Sequence, residues 1–293
     1  MDGFFLVDKP KGITSQAVVN RIKKKFNLNK CGHTGTLDPD TTGLLVVGCD
    51  NATKLIKYLN EHDKCYETTI VFGFETTTLD ISGEITNKKV MSVTIEEVLE
   101  ALAKLKQTTL QIPPMVSAIK IQGKKLYEYE RKNINIEVAP RPIRIYDLAI
   151  MSSLRIVDGF YEIDIKVACS KGFYVRSFAR DLGRLLGGFA TMKSLRRIKS
   201  GNFLVSSSIP LDSLKASDII LIEDVFKEFD LYECDDFLAN LISNGVVLDE
   251  RQIITDRPFY IKHKGNIIAI YEPFASNRYK PVVIFKKEAI KWR

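Results

Sequence analysis

The stretch Gly32-His33-Thr34-Gly35-Thr36-Leu37-Asp38-Pro39-Asp40 concentrates reactive groups in an unusual way. It carries one of the three histidines, two glycines, and a carboxylate whose backbone the following proline restricts. A loop specified this tightly beside a buried strand is a good place for a positioned reactive group such as Asp38. The same residues also make an ordinary turn, since Asp-Pro pairs commonly start one. Spacing alone leaves Asp38 and His33 open between the two readings. His62 and His263 stand without a partner motif.

A second candidate is Cys169-Ser170-Lys171-Gly172-Phe173-Tyr174-Val175-Arg176, where a buried strand ends in a glycine turn and a helix begins. Arg176, Arg180 and Arg184 follow at i, i+4 and i+8 and share a helix face. Such a stripe can track phosphates or hold a buried carboxylate. It can equally be a solvated face paired with Asp181 or Glu162. Cys31, Cys49, Cys65, Cys169 and Cys234 are widely spaced with no C-x-x-C pair, as in free thiols of a reducing compartment. Cys31-x-His33 lacks a second ligand pair for zinc. The chain has no P-loop, dinucleotide fingerprint, nucleophile elbow or zinc-protease helix.

The elements that must position these residues can be read from periodicity. Phe4–Asp8 and Gly43–Gly48 are buried strands, and Thr14 or Ser15 caps a helix with Val18, Val19, Ile22 and Phe26 on its apolar face. Residues 30–42 form a polar loop, and Asn51 caps a helix to Tyr58. Tyr66–Phe74 and Ile81–Ile85 are strand-like. Thr94-Ile95-Glu96-Glu97 is a capping box opening a helix to about Lys106. Pro113-Pro114 stops regular structure, and a basic, Tyr-bearing short helix and loop spans 122–142. Ile143–Val157 and Phe160–Cys169 form a hairpin turned at Asp158-Gly159, followed by a helix over Phe173–Leu186 and a strand over Met192–Lys199. The acidic stretch 211–230 gives one more helix and a linker. Residues 236–293 return to strand character with turns at Asn244-Gly245 and Lys264-Gly265, as a small separate domain. Strands and helices are not regularly alternated, so the class is α+β.

The 293 residues suffice for one large domain, or a main domain plus a small one. At 45% hydrophobic and 27% charged residues, the composition excludes a disordered chain. Net charge is +7 and unevenly spread: residues 119–210 hold 17 basic against 8 acidic side chains, and 211–256 hold 3 against 12. Local positive surface permits nucleic acid or another anionic partner, although any single block can also be a solvated face. No signal peptide and no run of roughly 18 apolar residues is present, so a cytoplasmic protein without membrane contact is expected.

Taken together, Gly32-His-Thr-Gly-Thr-Leu-Asp-Pro-x-x-x-Gly43-Leu-Leu strongly resembles the signature of the bacterial tRNA pseudouridine-55 synthase (TruB) family. Five further stretches agree in the family's order: Phe5–Ser15, Lys64-Cys-Tyr-Glu67, Pro113–Lys120, Gly123–Tyr129 and Cys169–Arg176, the last continuing to Leu195-Arg-Arg197. The likeness is close over about residues 4–200 and looser beyond. It implies a pseudouridine synthase fold: a mixed, largely antiparallel central sheet flanked by helices, with a small C-terminal PUA-like RNA-binding domain. The expected division is 1–229 and 230–293, with an RNA-clamping insertion at about 120–145.

The resemblance implies isomerisation of uridine 55 in the T-loop of tRNA, by a monomer that needs no cofactor and no metal. Asp38 would be the catalytic carboxylate, and Arg176 its ion-pair partner, since a nearby cation orients a carboxylate and favours its charged form. Tyr66 would be the platform under the flipped ring, and Leu195 an apolar wall. His33 would fill space left by extruded bases. Lys9, Lys120, Arg141 and Arg180 would contact RNA, together with Tyr127 and Tyr129 of the clamping arm. Val116 stands where the family usually has Tyr, and Asp40-Thr41-Thr42 replaces a more apolar stretch. Three other readings are kept: a non-catalytic tRNA-binding protein or folding chaperone, the same chemistry on another RNA, and a metal-dependent hydrolase on Asp38, Asp40 and His33.

Overall fold

The computed structural model describes residues 1–285 except Ala118, Lys132, Asn133 and Asn135, with the backbone alone for Tyr127. The last eight residues, with part of the basic tail, lie outside the described residues, as does the Tyr127 side chain. Gly3–Lys9 (β1) and Thr42–Cys49 (β3) are almost uninterruptedly apolar and buried, as interior strands are. Between them the expected polar loop begins with a short strand, Cys31–His33 (β2), paired to β3. Lys64–Phe72 (β4), Ile145–Ile150 (β5), Arg155–Val157 (β6), Phe160–Cys169 (β7) and Ala190–Ser200 (β8) complete the body of the sheet.

The strand order is β5-β7-β4-β8-β3-β1, with Ile209–Pro210 at the far edge. Neighbours are antiparallel except β8 with β3 and the edge pair, so the sheet is mixed and largely antiparallel. The register sets Lys9, Gly43, Arg197, Tyr66 and Val167 in one row across five strands. Gly43 has φ +100°, and a Cβ there would sit 2.3 Å from the Arg197 carbonyl oxygen. Only glycine lets β3 and β8 meet at this point.

Three helices cover the sheet: Ser15–Lys25 (α1), Ile95–Lys106 (α2) and Val175–Leu185 (α3). Thr14 caps α1 by accepting the Ala17 N–H at 3.0 Å, which releases Ser15 for another task. The Thr94–Glu97 capping box is formed as its spacing predicts. α3 has no side-chain cap of its own. Gln111 substitutes for one, accepting from the Tyr174 N–H at 2.8 Å and donating to its carbonyl at 3.1 Å. The main core lies between α2, α3 and β4, β5, β7, β8, with Phe178, Ile163, Ile165 and Ile70 at its centre.

Several expected elements differ. Asn51 caps nothing: its amide donates to Asp2, and residues Asp50–Leu55 form a 3₁₀ turn before a short helix, Ile56–Asn60. The strand expected at Ile81–Ile85 begins only at Ile85 and runs to Lys88, because the Asp80 carboxylate binds Thr78 and Ser82 and folds the preceding residues into a turn. The first hairpin strand is split at 151–154, where the Ser152 hydroxyl accepts the Asp164 N–H. The Asp158-Gly159 turn has positive φ at both residues, as a tight hairpin needs. Over 211–230 the single α-helical piece is Ile222–Val225, beside one-turn 3₁₀ segments.

The C-terminal sheet comprises Asp230–Glu233 (β9), Leu248–Asp249 (β10), Phe259–His263 (β11), Asn266–Ala275 (β12) and Arg278–Ile284 (β13), ordered β9-β11-β12-β13-β10. Residues Asp236–Ser243 are helix (α4), not strand. Asp235 caps it by accepting the Leu238 N–H, and Asn244-Gly245 is its C-terminus, not a strand turn. The unit has its own core around Phe259, Tyr271 and Tyr279. It is not detached, however. Tyr260, Ile270 and Val283 enter a second cluster with Phe4, Leu6, Leu44 and Val46 of the main sheet. Phe178, 1% exposed between α3 and the sheet, anchors the main core. Phe178→Ala is expected to cost about 3–5 kcal/mol, read as a lowered midpoint in urea unfolding.

Candidate active site

Asp38 is held by its neighbours' backbones. The Ser15 hydroxyl donates to the Leu37 carbonyl at 2.9 Å and accepts the Leu37 N–H at 2.8 Å, while the Leu37 side chain is buried in the α1 core. On the other side the Pro39 carbonyl accepts from the Gly12 N–H at 2.9 Å and the Lys9 ammonium at 3.0 Å. The Thr41 N–H closes the turn on the Asp38 carbonyl at 3.0 Å. Ser15 on helix α1 and Lys9 on strand β1 thus fix the backbone on either side of the carboxylate. Its side chain remains 40% exposed, toward a cleft.

Arg176, in the first turn of α3, meets Asp38 there with Nη2–Oδ2 3.0 Å. Its guanidinium is buried and touches four acceptors. Nη2 also donates to the Val116 carbonyl at 2.9 Å; Nη1 donates to the Thr78 carbonyl at 3.2 Å and lies 4.0 Å from Asp80 Oδ2. One cation therefore ties three loops to the start of one helix. The Val116 contact is made by backbone, so the departure at this position does not disturb it.

The cleft has a volume of about 500 Å³, within the usual range for a small-ligand site. Asp38, Tyr66, Arg176, His33 and Leu195 all line it, although they come from four separate segments. Leu195 and Arg197 share a face of β8 opposite Thr68 and Tyr66 of β4. Burial pushes the Tyr66 phenol above the ordinary tyrosine range, against the pull of the Arg197 charge. The His33 imidazole is pushed down, first by burial and then by Arg197, and its Nδ1 accepts the Gly35 N–H at 3.2 Å. A neutral, flat ring at the cleft wall results.

The remaining candidates separate. Lys120 and Arg141 are exposed on the segment between Pro113 and β5. Lys9 is wholly buried, its ammonium on the carbonyls of Pro10, Ile13 and Pro39, so it serves the loop and not a surface. Arg180 is also buried, donating to Asp181 and the Ile112 carbonyl; Arg184 lies 3.9 Å from Glu75. Glu162 instead takes Lys193 and Arg155 on the outer sheet face. Tyr129 is buried, its hydroxyl on the Ile121 carbonyl, so it braces its own segment from within. Among the described residues no three His, Cys, Asp or Glu side chains converge as metal ligands would, and Asp38, Asp40 and His33 do not.

Ser15, Asp80 and Arg197 went unassigned in the sequence. Alternation along β8 carried a signal for Arg197, two residues from Leu195; nothing local marked Ser15 or Asp80 as parts of the site. Burial pushes the Lys9 ammonium down to about 8, despite Asp38 and Asp40 nearby. The cost of burying this charge is present below about pH 8 and lifts as pH rises toward the ordinary lysine value of 10.5. The neutral amine, however, has two N–H groups for three carbonyls. Turnover is expected to fall above about pH 8 without a matching loss of thermal stability from this group. Lys9→Met is expected to lower kcat roughly tenfold or more at neutral pH, because a misplaced reactive group is costly.

Comparison with known proteins bears on this arrangement. Residues 23–175 match the N-terminal domain model of the TruB family of pseudouridylate synthases, and residues 176–241 match a C-terminal domain model described as that of tRNA pseudouridylate synthase B. The chain is 39% identical over 287 residues to "tRNA pseudouridine synthase B" of Onion yellows phytoplasma, covering 97% of this chain and 100% of that one. It is 38% identical over 286 residues to the protein of the same name from Acholeplasma laidlawii, with coverage of 97% and 100%. Among solved structures, a chain of a Cbf5-Nop10-Gar1 complex superposes with TM-score 0.66 at 22% identity, covering 97% of this chain and 84% of that one, which shows the shared fold. With both family models and near full-length relatives in agreement, the chain belongs to the TruB family of pseudouridylate synthases.

Proposed function

We propose that this chain isomerises a uridine of tRNA to pseudouridine, and that its target is uridine 55 in the T-loop. The observation that carries this reading is the Asp38–Arg176 pair, 3.0 Å apart, in a cleft lined by Tyr66 and Leu195. The relatives' name supplies tRNA as substrate.

The target nucleotide turns out of its stack to enter the cleft, because its glycosidic bond is unreachable within a folded loop. Tyr66 and Leu195 hold the ring between an aromatic and an apolar surface. Asp38 faces the sugar, oriented by Arg176, and the N1–C1′ bond breaks. The ring turns in place and C5 bonds to C1′; C5 gives up its proton and N1 gains one, so atoms balance. His33, flat and neutral, occupies the space the extruded nucleotide leaves. Lys120 and Arg141 meet phosphates from the clamping segment, and residues from 230 onward grip the RNA as a second domain. The protein acts as a monomer in the cytoplasm. A pure folding chaperone would not need the Asp38–Arg176–Asp80 arrangement, so the enzyme is favoured.

Incubation with tRNA tritiated at uridine C5 is expected to release label stoichiometrically; no release by folded protein sinks the reading. Asp38→Asn should lower turnover at least about 10³-fold while leaving tRNA affinity within about threefold, measured by filter retention. Replacing Lys120 and Arg141 together by Ala should weaken binding across tRNA species and reduce the salt slope by about one per lost phosphate contact.

A further inference from the structure

Among the described residues Arg197 is the largest side chain to be fully buried, at 2% exposure. Nε donates to the Leu44 carbonyl at 2.8 Å and Nη2 to the Gly35 carbonyl at 3.1 Å. Among the described residues no carboxylate lies within 4.0 Å of it; Asp38 and Asp80 belong to Arg176, and Asp8 to Arg196. A charged neighbour makes matters worse. Lys64, also buried, donates only to the Asn60 and His62 carbonyls and is itself driven toward neutrality by burial and by Arg197. A buried guanidinium without a counter-ion is costly to fold, and two carbonyls answer only part of its charge.

This cation is not remote from the chemistry. It lines the cleft, directly across the β4–β8 pair from Tyr66, whose phenol feels its charge. The site therefore holds two buried arginines of different kinds, one neutralised by two carboxylates and one by none.

Uridine is neutral in its bound ground state. When N1–C1′ breaks, the bond's electron pair stays with the ring, and negative charge spreads over N1, O2 and O4. We propose that Arg197 is the electrostatic catalyst for this step, stabilising the departing base anion on the Tyr66 platform. A cation with no partner of its own favours the charged transition state over the neutral substrate, the condition for raising kcat. When C5 attacks C1′ the ring returns the pair and the anion disappears. The proposal rests on the isomerase reading and concerns a residue that reading leaves unused.

Single-turnover rates on tRNA transcripts carrying either uridine or 4-thiouridine at the target position test it. The thio base keeps its C5–H, and its sulfur holds negative charge more readily than oxygen. R197Q is expected to slow uridine isomerisation by about 10²-fold or more, with tRNA affinity retained, and to slow the thio substrate by at least about tenfold less. R197K, which keeps the charge, should fall between wild type and R197Q on uridine. Equal slowing on both substrates would make Arg197 a clamp for Gly35 and Leu44 only and overturn the proposal, as would wild-type rates in R197Q. Should R197Q fail to fold by circular dichroism, R197M, which also removes the charge, carries the same two-substrate comparison. Wild-type protein inactive on uridine tRNA would instead defeat the isomerase reading, so the two failures are told apart.

Discussion

The contact between Arg176 and Asp38 constrains everything around it. A guanidinium at 7% side-chain exposure is tolerable only when its donors are answered, and here they are answered by two carboxylates and two carbonyls. Those acceptors come from loops at residues 38, 78–80 and 116, far apart in sequence. The first turn of α3 must therefore lie where all three loops converge, which fixes the helix against β8. Removing one partner would leave charge stranded in the interior, so the pair is a poor source of net stability and a strong source of geometric definition.

That definition would be lost if the loop bearing Asp38 could move. Helix α1 contributes Ser15, β1 contributes Lys9, and β8 contributes Arg197 through the Gly35 carbonyl. Each grips backbone and none grips the carboxylate. The side chain is then free to face both Arg176 and a substrate, while its Cα is tied to three rigid elements. The row Lys9–Gly43–Arg197–Tyr66 explains how such distant residues serve one site: pairing register alone brings them side by side. A one-residue slip of β8 would turn Leu195 and Arg197 to the outer face and empty the floor of the cleft.

Much of this was legible beforehand where a residue's role follows from local pattern. The Thr94–Glu97 box, the Asp158-Gly159 turn and the α+β class rest on short-range stereochemistry, and they appear in the fold. Helix α4 was misread because β-branched and aromatic residues dominate the segments after it, whereas Asp235 and the spacing of Leu238, Leu241 and Ile242 decide it locally. Asn51 looked like a cap until the distant Asp2 carboxylate claimed its amide. The candidate site was legible as a set of motifs, and Asp38 and Arg176 do meet. What the motifs could not supply was the division of labour among buried cations. Lys9 and Arg180 read as surface groups because nothing in their neighbours' identity reports that three carbonyls, or a carbonyl and Asp181, wait for them inside.

The same point corrects how the positive charge should be understood. The block 119–210 carries a large basic excess in the linear count, which suggests one continuous surface for a polyanion. In three dimensions it divides. Arg155 and Lys193 neutralise Asp164 and Glu162 on the outer face of the sheet, Arg196 pairs with Asp8, and Arg176, Arg180 and Arg197 are interior. Among the described residues, Lys120 and Arg141 are examples of the charge that remains exposed in this block. In the proposed reaction, long-range attraction of RNA and stabilisation of charge fall to different cations. The first kind is screened by salt; the second, enclosed in a low-dielectric floor, is screened far less. A protein built this way can loosen its hold on RNA as ionic strength rises while its chemical step, once the nucleotide is seated, proceeds at an almost unchanged rate.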